Sequence, residues 1–332
     1  MNQSMNPPSS KRYVLYPIEN DSVWTMYKRA KACFWTFEEI DLSKDRADWR
    51  RLTPAEQHFM KNTLAFFAIS DGIVNENLCL RFINDVQMPE AKCFYGFQIF
   101  MEQIHAETYS GLLDFYIEDR DEKQRLFQGL ETIPVIRRKG EFCFRWIEDK
   151  VHDLATRLIA FACVEGIFFA SSFCSFYWLK KRGLCPGATF ANELIARDES
   201  MHAEFGVMLY HLLKNPDVDY SRIIREIVRE SVELEKEFVR DSLQSNLIGM
   251  NQDLMCQYVE FMGDRLLLQL GEEKMYRVSN PFDFMELISM ANKTNFFESR
   301  VSQYSRAGVS DSLNKQGKEG GKDTSFVVSD EF

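Results

Sequence analysis

Two Glu-x-x-His quartets, Glu102/His105 and Glu199/His202, lie inside long apolar stretches with helical periodicity. Each follows a solitary carboxylate in another such stretch, Asp71 before the first and Glu165 before the second, at nearly the same interval. Residues three apart on a helix share a face, so each quartet projects a carboxylate and an imidazole in one direction. Phe67, Ala68 and Val74 around Asp71, and Phe161, Ala162, Phe168 and Phe169 around Glu165, turn that face towards a core. Ile195 and Ala196 one turn before Glu199, with Ala203 one turn after it, do the same. Four carboxylates converging on an apolar interior cannot all stay ionised without cations. Two divalent ions balance them, which favours a binuclear site over a single ion. The mixed oxygen and imidazole donors suit iron or manganese better than calcium or a thiolate-seeking metal. A chain carrying this pattern is expected to be all-α, its two halves closing around one buried di-metal carboxylate site.

Five histidines among 332 residues make one Glu-x-x-His quartet an ordinary coincidence, whereas two with matched upstream acids are a specific signal. The arrangement matches a known template, the di-metal carboxylate bundle, and is recognised by that match rather than derived. Buried Glu–His hydrogen bonds without metal are the competing explanation. His58, His152 and His211 lack the setting and read as ordinary. Tyr109 falls one turn beyond His105 on the ligand face, either as a redox partner or as a core aromatic. Asp198, beside Glu199, is placed to orient a ligand histidine through its second ring nitrogen. Trp35, in Phe34-Trp35-Thr36, reads by itself more readily as core packing than as a functional residue.

Few glycines and prolines, 16 and 9, favour helices over a turn-rich β fold. Forty basic against 50 acidic residues, a net charge of −10 with no basic stripe, argue against a nucleic-acid surface. Arg137-Arg138-Lys139 and Lys180-Lys181-Arg182 are short clusters expected to cap helix ends or stay solvated. The eight cysteines form no Cys-x-x-Cys pair, and several sit in apolar helical runs as small hydrophobes. The polar N-terminus, Met1 to Arg12, does not read as a secretory signal, so a reducing cytoplasm is the expected compartment. Leu158 to Leu179, whose single charge is Glu165, is long enough to span a membrane. A carboxylate is costly in lipid, and the central helix of a large bundle fits the same composition without a membrane.

Residues 1–12 read as a flexible arm, and Thr53-Pro54-Ala55-Glu56 as a capping box opening a helix towards Asp85. Pro89 opens the next helix, to about Ile117; shorter helices fill 122–150 with a break near Pro134. One long helix is expected from about His152 to Arg182, another from near Thr189 to Lys214, and two more over roughly 220–243 and 250–270. From Arg306 the Ser-, Gly- and Lys-rich composition predicts disorder, 306–332, leaving 13–305 as the folded domain. The terminal Phe326 to Phe332, with two aromatics and two valines, reads either as a docking peptide on a tether or as a frayed end.

Several long segments closely resemble the small, radical-bearing subunit of class I ribonucleotide reductase, of eukaryotic type. They are Ala32-Cys33-Phe34-Trp35-Thr36, Ser70 through Asn77, Phe94-Tyr95-Gly96-Phe97-Gln98, Val164 through Phe169, Arg197-Asp198-Glu199, Asn280 through Met285 and Lys293 through Glu298. The likeness runs from about Arg12 to Tyr304 and returns at the C-terminus; 118–155 matches more weakly and is assigned no function. The resemblance implies a ferritin-like bundle in which Asp71, Glu102, His105, Glu165, Glu199 and His202 hold two iron ions, with manganese not excluded. It implies that O2 is used there to oxidise Tyr109 to a stable radical shielded by Phe169, Phe173 and Ile195. Trp35, Asp198 and His105 match the relay that carries the radical equivalent outwards, and Tyr304 the tail tyrosine that passes it on. The recipient is a large catalytic subunit that reduces ribonucleoside diphosphates, engaged through Phe326–Phe332, and the small subunit itself is expected to be a homodimer. The Gly/Lys-rich tether and the interior Val327-Val328-Ser329 depart from the common form of that tail. Two other readings compete: an iron store, which predicts a cage with many irons per chain, and a di-iron oxidase or desaturase, which leaves Tyr304 and the terminal peptide unexplained.

Overall fold

The computed structural model describes residues 12–244, 247 and 249–285. Helices follow in the order α1 (Asp21–Ala32), α2 (Asp45–Arg51), α3 (Pro54–Asn77), α4 (Ile83–Asp85), α5 (Pro89–Tyr116), α6 (Arg120–Phe127), α7 (Gly129–Thr132) and α8 (Pro134–Glu148). They continue with α9 (Leu154–Cys163), α10 (Ala170–Lys181), α11 (Pro186–Leu213), α12 (Ser221–Ser242) and α13 (Gln252–Gln269). Among the described residues the sole β pairing is an isolated bridge between Leu247 and Met250. The all-α expectation holds. Arg12, the last residue of the expected arm, is anchored to Glu90 at 2.5 Å; residues 1–11 lie outside the described residues, as does the tail with Tyr304 and Phe326–Phe332.

The capping box forms as the sequence requires: the Thr53 hydroxyl accepts from the Glu56 amide, and Glu56 Oε2 accepts from the Thr53 amide at 2.7 Å. From there α3 runs through a π-helical turn, Leu78–Phe82, into α4, so the path does reach Asp85. Asp153 caps α9 by accepting from the Thr156 amide at 2.9 Å. The end of α10 is a Schellman closure, with Gly183 at φ 67° and the Leu184 amide donating to the Leu179 carbonyl at 3.1 Å.

Two expectations need correction. The long helix from His152 to Arg182 is interrupted: Val164–Phe168 forms a π-helical segment and Phe169 a turn before α10 begins. Composition alone cannot reveal such a break, because an extra residue in a turn leaves an all-apolar helix just as apolar. The helix expected from Thr189 begins instead at Pro186. Cys185, at φ 51°, contributes no side-chain cap there. The cap comes from elsewhere in the chain: Asp45, wholly buried on α2, accepts from the Gly187 and Ala188 amides at 2.8 Å each and from the Tyr116 hydroxyl at 2.7 Å. A Cβ at Gly187 would overlap the Asp41 carbonyl, so this close approach requires glycine.

α3 packs along α5, α9 and its π segment along α11, and α10 and α11 meet α3 and α5. One helix pair therefore carries Asp71, Glu102 and His105, and the other carries Glu165, Glu199 and His202. Leu154–Lys181 is long and apolar enough to cross a membrane, yet its apolar 18-residue stretch is 94% buried inside the fold. Its apolar surface is already spent on α11, α12 and α13. Replacing Asp45 with alanine should leave two helix-terminal amides and the Tyr116 hydroxyl unpaired. Chemical denaturation of the metal-free protein is expected to show a loss of about 2 kcal/mol.

Candidate metal centre

All six expected ligands converge at the middle of the bundle, none more than 3% exposed. His202 Nδ1 stands 3.0 Å from both Glu102 Oε1 and Glu199 Oε2. His105 Nδ1 stands 2.8 Å from Glu199 Oε1 and 3.4 Å from Glu102 Oε2. One donor atom each from Glu102, Glu165, Glu199 and His202 lies within 4.8 Å of the others. Asp71 completes the set electrostatically, since its acidity is set by burial and then by Glu102, His105, Glu199 and His202.

The residues fit a metal pair on a direct structural ground. Asp71 Oδ2, His105 Nδ1, Glu165 Oε2 and Glu199 Oε1 are all buried without a hydrogen-bond partner. His105 Nδ1 and Glu199 Oε1 approach closely but out of hydrogen-bond geometry, as two donors to a common third atom would. Buried polar atoms are mostly paired, so four unpaired ones among these six residues fit cations held between them. The competing explanation, Glu–His hydrogen bonds alone, accounts for His202 with Glu199 but not for these four.

Electrostatics agree. Burial, then Glu102, pushes Asp71 well above the usual carboxylate range, and burial with Glu199 does the same to Glu165. Burial would lower both histidines, but their carboxylates prevail: Asp198, Glu102 and Glu199 hold His105 well above its ordinary value, and Glu199 with Glu102 raises His202 to about 10. Glu199 is depressed against its own burial by His202 and His105. Without metal, protons hold this cluster together.

Around it the structure orders several further residues. Trp35 Nε1 donates to Asp198 Oδ2 at 2.8 Å; the same oxygen lies 3.3 Å from His105 Nε2, and the Trp35 and His105 rings stack at 5.9 Å. Asp198 thus lies against one of the expected ligand histidines, His105, on the opposite helix pair. Arg197 donates to Asp198 Oδ1 at 3.0 and 2.7 Å and to the Cys33 carbonyl at 2.7 Å. Against a burial that would raise it, Arg197 and His105 keep Asp198 ionised. Tyr109 is 1% exposed, its hydroxyl has no hydrogen-bond partner, and its ring lies flat on Phe67 at 4.1 Å. Phe169 and Phe173 reach that same Phe67 ring at 5.6 and 5.0 Å, and Ile195 is buried one turn before Glu199.

Sequence reasoning missed Gln98, Arg197 and the direct role of Phe67. Gln98 Nε2 bridges Glu102 Oε1 and Glu165 Oε1 at 3.1 and 3.2 Å, tying the two helix pairs together. Its signal was available: a polar residue one turn before a ligand, on the same face. A cavity of about 430 Å³ runs from exposed Arg29 and Glu204 to Glu165 and Glu199, giving small solutes a route inward. His58, His152 and His211 pair with Asn62, Asp149 and the Gln269 carbonyl, away from the centre.

Comparison with known proteins decides the family. The profile described as "Ribonucleotide reductase, small chain" matches residues 12–281. The chain belongs to the ribonucleotide reductase small-chain family. It is 54% identical over 316 residues to the ribonucleoside-diphosphate reductase small chain of Neurospora crassa, covering 95% of this chain and 76% of that one. It is 54% identical over 309 residues to the corresponding small chain of Nicotiana tabacum, covering 93% of each. The solved structure of the ribonucleotide reductase Rnr4 homodimer from Saccharomyces cerevisiae superposes with a TM-score of 0.76 at 38% identity, covering 88% of this chain and 90% of that one. This ribonucleotide reductase small chain therefore has the ferritin-like fold of its family, an oxidoreductase subunit whose family function is to generate a radical.

Metal loading requires its donors deprotonated. Asp71, Glu165, His105 and His202 all have raised pKa values, which favours their protonated forms in the metal-free site. Adding Fe(II) or Mn(II) without oxygen should release protons, and affinity should rise with pH through the neutral range. Calorimetry in buffers of different ionisation enthalpy measures the number; uptake of metal without proton release would contradict the arrangement.

Proposed function

We propose that Asp71, Glu102, His105, Glu165, Glu199 and His202 hold two iron ions, and that Tyr109 is the residue of this small chain that carries the radical. The observation that carries this reading is the placement of Tyr109: buried on the ligand helix, flat against Phe67, its hydroxyl free of any partner. When bound, the metal pair supplies the oxidising equivalents of O2. The protein's part is to aim the donors, exclude water and keep the oxidised ring from reacting. Burial, then Asp71 and Glu199, hold the Tyr109 phenol well above its ordinary pKa, so it stays a neutral phenol until it is oxidised. Phe67, with Phe169 and Phe173 behind it, denies solvent access to the ring on that side.

Outward transfer is assigned to His105, Asp198 and Trp35, a series of contacts from the second ring nitrogen of a ligand histidine to a buried indole. Asp198 is held as an anion by Arg197, so it can accept from both neighbours at once. Tyr304 and the Phe326–Phe332 peptide are assigned to delivery and to docking on the large catalytic subunit, whose substrates are ribonucleoside diphosphates. The yeast relative was solved as a homodimer, and the same assembly is proposed for this protein. Storage and desaturase readings give no use to the Trp35–Asp198–His105 series.

Tyr109→Phe, which removes one hydroxyl that makes no hydrogen bond, should bind the same two metal ions and melt within about 1 kcal/mol of the parent. It should give no tyrosyl signal in electron paramagnetic resonance after iron and oxygen; a persistent signal would move the radical to another tyrosine. Removing Phe326–Phe332 should leave that signal intact and abolish binding to the large subunit in sedimentation. Unchanged binding would count against the docking role of the tail.

A further inference from the structure

Lys139 overturns one expectation of the sequence. In a basic cluster read as solvated, and in the segment assigned no function, it is 1% exposed. Its partner Glu235, on α12, is wholly buried. The Lys139 ammonium donates to Glu235 Oε2 at 2.6 Å and to the Phe168 carbonyl at 2.8 Å. Glu235 Oε1 accepts from the Ser171 amide at 3.1 Å and from the Ser171 hydroxyl. The ammonium also stands 3.3 Å over the Phe66 ring and 4.4 Å over that of Phe238.

The two backbone groups held this way lie on opposite sides of the helix break. Phe168 ends the π segment, and Ser171 belongs to the first turn of α10. An interrupted helix leaves carbonyls before the break and amides after it without helical partners. Inside an apolar core each such group is costly. The ammonium serves the carbonyl side and the carboxylate serves the amide side, where the helix N-terminus also favours negative charge.

The break has ligand Glu165 on one side and the wall of the Tyr109 pocket on the other. Phe169 sits in the break itself, 5.6 Å from both Phe66 and Phe67, and Phe67 lies flat on Tyr109. Burial pushes the Lys139 ammonium down to about 8 and Glu235 up, so the pair is held charged at a cost. Apolar residues of similar volume often stabilise as well as a buried ion pair, so stability alone does not account for one here. What the pair does supply is geometry.

We infer that Lys139 and Glu235 are a positioning pair for the Tyr109 site, locking the π segment in one register so that Glu165 keeps its aim and Phe169 its place against Phe66 and Phe67. The inference rests on the assignment of Tyr109 as the radical residue, and neither side chain contacts a ligand or the Tyr109 ring. They act through Phe168, Ser171 and Phe66.

The test uses the full-length protein carrying Lys139→Met together with Glu235→Leu, which removes both charges and spares either from burial alone. In the metal-free protein, amide hydrogen exchange over 164–176 should accelerate about tenfold while exchange in α3 and α5 stays as in the parent. After iron and oxygen, the tyrosyl signal should decay faster by a similar factor at unchanged iron content. Parent-like exchange over 164–176, or acceleration spread evenly across all helices, would overturn the inference. Glu235→Gln covers failure of the double variant to fold: it keeps an acceptor for Ser171 but weakens the grip on Lys139, and the same two exchange outcomes decide. If the parent gives no tyrosyl signal, the Tyr109 assignment fails, and exchange still decides whether the pair fixes the segment.

Discussion

Four carboxylates share one small buried volume in this protein, and no arrangement of neighbouring helices alone can neutralise them. Two histidines contribute protons when metal is absent and so depress Glu199, while burial and the neighbouring carboxylates raise Asp71 and Glu165 within the same cluster. The four buried atoms left unpaired mark the remaining deficit. Everything around the site serves this constraint. α3 and α5 bring one acid and one quartet, α9 with its π segment and α11 bring the other, and Gln98 bridges the two pairs.

The two halves of the repeat are not equivalent once folded. The first quartet continues one turn to Tyr109, and its histidine points its second nitrogen towards Asp198 and Trp35. The second quartet is followed by no such tyrosine and is approached by the cavity from Arg29 and Glu204. The same cavity is lined by Phe173 and Arg197, so it borders both the wall beside Tyr109 and the arginine that holds Asp198.

Much of this was legible in the sequence because it follows from periodicity and charge. The quartets, their upstream acids, the capping box at Thr53 and the Tyr109 position are local patterns that a helix turns directly into geometry. What could not be read depends on partners distant in sequence. Asp45 caps a helix more than a hundred residues away, which moved the start of α11 back to Pro186. The π segment at Val164–Phe168 left no mark in composition, and the lysine that meets it looked like one more surface charge. A buried polar residue such as Lys139 reads as ordinary until a fold shows what encloses it.

Arg197 bonds Asp198 and the Cys33 carbonyl with the same guanidinium. Cys33 ends α1, and Trp35 follows two residues later. The docking of α1 against α5 and α11 is therefore tied to the Trp35–Asp198 contact by the Arg197 side chain as well as by the backbone. On the proposed relay, a disturbance that lifts α1 would act as a blown fuse does, leaving a charged cofactor intact but unable to discharge.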